Sequence, residues 1–210
     1  MSPRFTHVRM RASSRAKSED AVEVFEQGEA LILVVADGAG GIRGGGKASE
    51  ALVAAVRAAL GDPTFLVEDA RHWLALFRAT DVTLAKSAVG ETTGVVVVLG
   101  SHQVIGVSAG DSEAWVVTAT EVHDLTRGQQ TKRRVGSGRA EPAAFAHAAL
   151  SGTLVVASDG LFKYAASDVI ARVVRESTIS SAGEQLLGLV RLPSGNFADD
   201  VALVLVRATP

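Results

Sequence analysis

The chain has 210 residues, and its 21 basic and 23 acidic side chains give a formal net charge of −2 and a pI of about 6.2. This balance gives no electrostatic reason to expect nucleic acid or an anionic membrane as a partner. The chain contains no cysteine, which excludes disulfides and thiolate metal sites, and it has no long apolar run or apolar leader. We therefore expect a single, soluble, cytoplasmic domain over residues 1–210.

The first part of the chain predicts strands followed by helices. Leu31–Ala36 is a continuous apolar run bounded by glycines, which is typical of a strand buried on both faces. Lys47–Leu60 is rich in alanine and leucine and lacks helix breakers, so it favours a helix. In chain order, the predicted elements here are strands at 5–11, 21–26 and 31–36, then helices at 47–60 and about 67–86.

The rest of the chain predicts short strands, a loop, two helices and a closing strand. The β-rich runs of the middle have very short connections, which favours antiparallel hairpins because parallel crossovers need a dozen residues or more. Ser181 and Glu184 form a capping-box pattern at the start of the second helix. The predicted elements are strands at 94–100, 104–109 and 114–118, a mobile loop within 120–150, a strand at 154–157, helices from about 167 and 181, and a strand at 201–207.

This order of elements predicts an α+β fold. Two helices follow the third strand and two precede the last, so one helix pair can cover the outer face of each of two sheets. The most apolar strands would then lie between the layers. We expect a four-layer α-β-β-α sandwich with two mainly antiparallel sheets flanked by helix pairs.

Aspartates lie at the ends of the most apolar strands. Asp37 and Asp159 follow their strands, Asp199 precedes its own, and Asp111 lies at the tip of a predicted hairpin. In an antiparallel sheet the end of one strand neighbours the start of another, so these side chains can meet at one rim. Carboxylates packed together repel one another unless cations are present, and Mg²⁺ or Mn²⁺ prefers such oxygen ligands. The pattern therefore indicates a site for divalent cations of the kind that hydrolyses phosphoesters.

Six motifs, in order along residues 15 to 206, carry a resemblance to a known family. They are RAKSED from Arg15, VADGAGG from Val35, ETTGVVVVL from Glu91, SAGDSEAWVV from Ser108, LVVASDGLFKY from Leu154 and ADDVALVLV from Ala198. Together they resemble the motifs of the PPM/PP2C metal-dependent serine/threonine protein phosphatases. The resemblance implies hydrolysis of phosphoserine or phosphothreonine on proteins through a metal-bridging water, with two core Mn²⁺ or Mg²⁺ ions and a possible third.

The resemblance also assigns roles to individual residues. Arg15 would bind the substrate phosphate, a role that suits the planar guanidinium. The residues implied in metal binding, directly or through water, are Glu19, Asp20, Asp37, the Gly38 carbonyl, Asp111, Asp159 and Asp199, with Asp111 and Asp159 holding the third ion. Asp200 stands where the family usually has asparagine and is expected only to support the ligands. The implied partners are phosphoproteins, including a serine/threonine kinase and its substrates.

The chain departs from the family pattern at several positions. Ala39 follows Asp37-Gly38 where animal enzymes have histidine, so a metal-bound water would protonate the leaving group. Ile42 and Glu113 replace a histidine and an arginine of the family motifs, and LTRGQQ, Leu125–Gln130, replaces LTxDHS. Only about two dozen residues separate this segment from the next strand, so the flap subdomain is expected to be reduced. A non-catalytic regulator that binds phosphoproteins or a kinase is therefore the alternative.

A phosphate-binding loop is a second alternative. Gly41–Ala48, GIRGGGKA, nearly fits G-x-x-x-x-G-K-[ST]. However, Ala48 replaces the hydroxyl that would bind Mg²⁺, Asp37 would repel the phosphates, and hairpins do not suit a parallel sheet. The five histidines are scattered without i, i+4 spacing, so a histidine metal site is not expected.

Overall fold

The computed structural model describes residues 4–15, 17–39, 44–129 and 131–209. Strands precede the first helix pair, and the second helix pair precedes the closing strand. The elements are β1 (Arg4–Ala12), β2 (Asp20–Gln27), β3 (Ala30–Asp37), α1 (Gly45–Leu60), α2 (Ala70–Ser87), β4 (Gly94–Leu99), β5 (Gln103–Ala109), β6 (Glu113–Val117), β7 (Val122–Asp124), β8 (Ala143–Ala148), β9 (Thr153–Ala157), α3 (Asp159–Phe162), α4 (Ser167–Glu176), α5 (Ile179–Leu189) and β10 (Val201–Thr209).

In the described ranges the strands form two five-stranded antiparallel sheets, ordered β1-β10-β9-β6-β7 and β2-β3-β4-β5-β8. Side chains alternate across each strand. In β3, Leu31, Leu33 and Val35 pack against the other sheet, whereas Ile32 and Val34 pack against helices. A strand covered on both faces needs apolar residues at every position, which explains its continuous apolar run.

Helix pairs cover the outer faces of the sheets. Leu52 of α1 and Phe77 of α2 pack against the sheet that contains β3, and Ile170 of α4 and Leu186 of α5 pack against the sheet that contains β10. The predicted α+β, four-layer α-β-β-α sandwich is confirmed. The antiparallel pairing also disagrees with the parallel sheet that a phosphate-binding-loop protein would need. The single domain over residues 1–210 stays a prediction.

The predicted loop over residues 120–150 is wrong for two segments. β7 pairs with β6, and the alanine-rich β8 pairs with β5. The Phe145 ring lies over Gly106 so closely that a Cβ at Gly106 would overlap it. Long-range pairing therefore makes a strand of residues whose intrinsic preference is not for strands.

The predicted cap of the last helix is also wrong. Thr178, rather than Ser181, precedes α5, and its Oγ1 accepts the Ser181 N–H at 3.4 Å. The short helix α3, which begins at Asp159, was not predicted. The cap of α5 and the short helix α3 both depend on local hydrogen bonds, and the periodicity of the sequence does not indicate these.

Candidate active site

Asp37 is the last residue of β3, and the neighbouring segment fixes its backbone. Its N–H donates to Thr93 Oγ1 at 3.0 Å, and its carbonyl accepts the Thr93 N–H at 2.8 Å and the Thr92 hydroxyl at 2.9 Å. Gly38 follows, and a Cβ there would overlap the Gly45 backbone. Glycine is therefore required after Asp37, because the end of β3 packs closely against the start of α1.

Asp20 lies directly opposite Asp37 in the β2–β3 register. Its side chain is almost fully buried, with the residue 2% exposed. Oδ2 accepts the Ser158 hydroxyl at 2.7 Å, while Oδ1 is buried without a hydrogen-bond partner in the described structure. An unsatisfied buried carboxylate oxygen is costly, so this atom requires a proton, a water or a cation.

Asp159 and Asp199 reach the same rim from the other sheet. Asp159 is the first residue of α3, directly after β9, and Asp199 lies two residues before β10. The antiparallel partners Ser158 and Ala202 exchange two hydrogen bonds of 2.9 Å, which hold the end of β9 beside the start of β10. The rim on which the sequence places these carboxylates is therefore formed by both sheets.

The predicted site residues surround one cavity of about 250 Å³. Its lining is almost entirely charged. The lining residues are Arg15, Glu19, Asp20, Asp37, Gly38, Ala39, Arg134, Asp159, Lys163, Asp199 and Asp200. Asp111 lies outside this set, yet it is near enough for its charge to act on both Asp37 and Asp159.

The cavity raises the pKa values of its central carboxyls. Burial, followed by the charges of the neighbouring carboxylates, raises the pKa of Asp37 to about 9. Burial also raises the pKa of Asp20 to about 7, against the opposing hydrogen bond from Ser158. The pKa of Asp159 is raised by burial and by the charges of Asp111 and Asp199. Without a cation, the Asp37 carboxyl is protonated at neutral pH and the Asp20 carboxyl is protonated in part.

Three basic side chains line this acidic cavity. Arg15 Nη1 is 2.8 Å from Glu19 Oε2, and Arg134 Nη2 is 3.1 Å from Asp111 Oδ2. Lys163 is exposed, and the Asp159 charge raises its pKa. The sequence predicted Arg15 but not Arg134 or Lys163. The basic cluster 132–134 was the available signal for Arg134, but it gives no indication of a partner 23 residues away.

Asp200 organises the loop that carries Arg15 and Glu19. Its Oδ1 accepts the Ser14 N–H at 2.8 Å and the hydroxyls of Ser13 and Ser14 at 3.1 and 2.9 Å, and its Oδ2 accepts the Glu19 N–H at 2.7 Å. Burial alone would raise its pKa, but these hydrogen bonds outweigh it and the pKa of Asp200 is lowered. Asp200 is therefore an ionised anchor for the loop that carries Arg15 and Glu19.

The donor set fits cations that keep part of their water shell. Across the described stretches, no three His, Asp or Glu side chains lie close enough together to hold an ion directly. The Asp37 carboxyl is near enough to influence the pKa values of both Asp20 and Asp159, so the donors stand as neighbouring pairs. Mg²⁺ usually retains several waters and binds through one or two carboxylates, which matches such pairs. The raised pKa of Asp37 and the unpaired Asp20 Oδ1 agree with a missing positive charge.

No family model matches the sequence, and no curated protein matches it. Solved structures do match over nearly the full length. A bacterial serine phosphatase carrying an arginine-to-glutamate substitution is 25% identical with a TM-score of 0.83, covering 99% of each chain. The phosphatase Stp1 of Staphylococcus aureus is 23% identical with a TM-score of 0.83, covering 100% of this chain and 96% of its own.

A further match is the catalytic domain of the serine/threonine protein phosphatase PstP in complex with two manganese ions, 21% identical with a TM-score of 0.80 over 100% of this chain and 99% of the other. The chain has the fold of the bacterial PP2C-type serine/threonine phosphatases. The resemblance seen in the six motifs is thereby confirmed.

Two departures from the PP2C pattern can be compared with the structure. In the region where a reduced flap is expected, the described residues 125–129 and 131–142 contain turns and no helix. The first three residues of the near-miss phosphate-binding loop, residues 41–43, which include Ile42, lie outside the described residues, whereas its last residues belong to the start of α1. Among the helices of the described PP2C fold, none is long and apolar enough to cross a membrane.

Proposed function

We propose that this chain is a Mn²⁺- or Mg²⁺-dependent phosphatase that hydrolyses phosphoserine and phosphothreonine on proteins. The observation that carries the proposal is the buried Asp37 carboxyl, on which the charges of four other carboxylates act, in a cavity edged by arginines. Such a cluster is unfavourable in the absence of cations and suits them well. The shared fold supports the same reaction class.

The cations would be held from both sheets. Asp37 would be shared by the two ions, with the Gly38 carbonyl contributing from its own sheet and Asp159 and Asp199 from the other. Glu19 and Asp20 would act through water. When bound, two such ions supply positive charge and an activated water for in-line attack on phosphorus. Two ions are also what the PstP neighbour contains.

Arg15 would bind the phosphoryl group of the substrate. Its side chain is 55% exposed and lines the cavity. A guanidinium can donate two parallel hydrogen bonds to a phosphate, which fixes the orientation of the group as well as its position. Asp200 holds the loop of Arg15 in place through the hydrogen bonds to Ser13, Ser14 and Glu19.

The substrates are proposed from the open, charged character of the cavity. An exposed site with almost no apolar lining suits a phosphorylated side chain presented by another protein, rather than a small apolar ligand. Its partners would be phosphoproteins, plausible examples being a serine/threonine kinase and its substrates in the cytoplasm. The reduced flap would leave the approach to the cavity open.

The test is hydrolysis of p-nitrophenyl phosphate and of a phosphothreonine peptide by the chain with and without Mn²⁺. We expect activity that EDTA abolishes and that Asp159→Asn lowers by at least about 100-fold, since even residues that only support metal ligands cost 10- to 100-fold. Asp168→Asn is the matched control, because Asp168 lies on α4 away from the cavity lining.

Two results would contradict the proposal. The proposed catalytic activity would be contradicted if hydrolysis were absent at millimolar Mn²⁺, or if Asp159→Asn and the unsubstituted chain hydrolysed the substrates equally. If the phosphopeptide bound without being hydrolysed, the non-catalytic phosphoprotein-binding regulator, motivated by the shortened flap, would replace it.

A further inference from the structure

Arg134 pairs with the aspartate that the family resemblance assigns to a third cation. Its Nη2 is 3.1 Å from Asp111 Oδ2. Arg134 also lines the cavity together with Asp37 and Asp159. A guanidinium therefore lies at the corner of the site where the third ion is expected.

The backbone next to Arg134 is tied to the backbone of Asp37. Val135 is fully buried, and its carbonyl accepts the Thr92 N–H at 2.8 Å while its N–H donates to the Thr92 carbonyl at 2.9 Å. The Thr92 hydroxyl in turn donates to the Asp37 carbonyl at 2.9 Å. This chain of hydrogen bonds sets the distance between Arg134 and the centre of the cavity.

Asp81 of α2 fixes the segment on the other side of Arg134. Its Oδ1 accepts the N–H groups of Gly136 at 2.7 Å and Gly138 at 2.9 Å, and its Oδ2 accepts that of Ala140 at 3.2 Å. The two glycines have φ angles of +102° and +70°, a conformation that lets the turn wrap around the carboxylate. Asp81 is only 5% exposed, so its charge requires these donors.

The Arg134 side chain is itself restricted. It is 34% exposed, and its Nε is buried without a hydrogen-bond partner among the described residues. Asp111 Oδ1 is likewise buried and unpaired there. A partly buried pair whose backbone is fixed on both sides is held more firmly than an exposed ion pair, which gains little because solvent screens it.

We propose that Arg134 takes the place of the third cation: its guanidinium neutralises Asp111, so the chain binds two Mn²⁺ ions rather than three. Arginine is always charged, so the positive charge at this corner does not depend on the concentration of free cations. The proposal rests on the proposed function, because it presumes the two ions between Asp37, Asp159 and Asp199.

Calorimetric titration of the metal-stripped chain with Mn²⁺ tests the proposal without measuring activity. We expect two ions per unsubstituted chain and three per Arg134→Gln chain, the added ion binding more weakly. Arg133→Gln is the matched control, because Arg133 carries the same charge and pairs with Glu141 instead. It should leave the count at two.

Asp111→Asn keeps the test informative if Arg134→Gln does not fold. Asp111→Asn alone should leave the count at two, because Asp111 binds Arg134 rather than Mn²⁺, while the loss of its negative charge near Asp37 and Asp159 should weaken the binding of both ions. The double variant should also bind two. Three ions in the unsubstituted chain, loss of an ion in Asp111→Asn, or two ions in a folded Arg134→Gln would overturn this proposal alone. Failure of the unsubstituted chain to bind Mn²⁺ would overturn the proposed function with it.

Discussion

Two loops bring an arginine to the same cavity, and a single aspartate anchors each of them. The loop between β1 and β2 carries Arg15 and is held by Asp200, at the start of β10. The segment between β7 and β8 carries Arg134 and is held by Asp81, on α2. The anchors lie in different layers of the sandwich, so the cavity is fixed from both.

The two arginines differ in what they pair with. Arg15 pairs with Glu19, four residues along the same loop, and an exposed ion pair is worth about 0.2–1 kcal/mol. Hydrogen bonds to a charged group are worth about 1.5–3 kcal/mol, so a phosphate can displace Glu19 at little cost. Arg134 instead joins two segments distant in sequence and is less exposed. The comparison supports the proposals that Arg15 binds the substrate phosphate and that Arg134 provides a fixed charge.

Substitution of Arg15 should have the largest effect. Arg15→Ala removes the hydrogen bonds to the phosphate, and we expect kcat/KM to fall by about 10- to 100-fold, which corresponds to about 1.5–3 kcal/mol. Steady-state kinetics on a phosphothreonine peptide measure this. Lys17→Ala, an exposed position of the same loop that pairs with Glu50, is the control and should change kcat/KM little. Equal losses in both variants would remove the distinction between the two arginines.

The two anchors should differ in their contribution to stability. Asp81→Asn places an amide NH₂ against a backbone N–H in a buried position. We therefore expect the free energy of unfolding, measured in urea, to fall by about 2 kcal/mol. Asp200→Asn should cost about half of that, because the hydroxyls of Ser13 and Ser14 can rotate to accept from the new amide. A larger loss for Asp200→Asn would reverse the order of the anchors.

The smallest effect is expected in the metal-free protein as pH changes. Folding raises the pKa of Asp37 from 3.8 to about 9 and that of Asp20 from 3.8 to about 7. The free energy of unfolding is therefore highest below about pH 4, where both carboxyls are protonated in both states, and it falls as pH rises through the raised values. In EDTA, Tm should fall by a few degrees between pH 5 and pH 9, the loss being small because water enters the open cavity. Asp37→Asn should flatten this slope, and Mn²⁺ should remove it. An unchanged slope in Asp37→Asn would exclude Asp37 as its source.

The carboxylates of the site were predictable because each follows a local rule. Asp37, Asp159 and Asp199 interrupt or border strongly apolar strands, and an antiparallel sheet brings such boundaries together. The four layers were predictable for the same reason, since a fully apolar strand must be covered on both faces. The periodicity of a strand, and a charged residue at the border of an apolar run, are both visible within a short stretch of sequence.

Arg134 and its anchor were not predicted because their contacts are long-range. Asp81 hydrogen bonds to residues 55 to 59 positions away. One signal was present: Asp81 lies one helical turn from Phe77 and near Leu84, on the buried face of α2, where an aspartate needs partners. The sequence does not indicate which loop supplies them. β8 was missed for a similar reason, because its strand conformation comes from pairing with β5.

The pairing of β1 with β10 has a consequence for how the cavity comes into existence. Met10 and Leu203 are register partners across this pair, and Asp200 hydrogen bonds to Ser14, 186 residues earlier. During synthesis, domains acquire structure as the chain grows. A nascent chain extended only as far as α5 has neither Asp199 nor the anchor of the Arg15 loop, whatever else has folded. The enzyme would therefore become competent in one late step, when β10 inserts between β1 and β9.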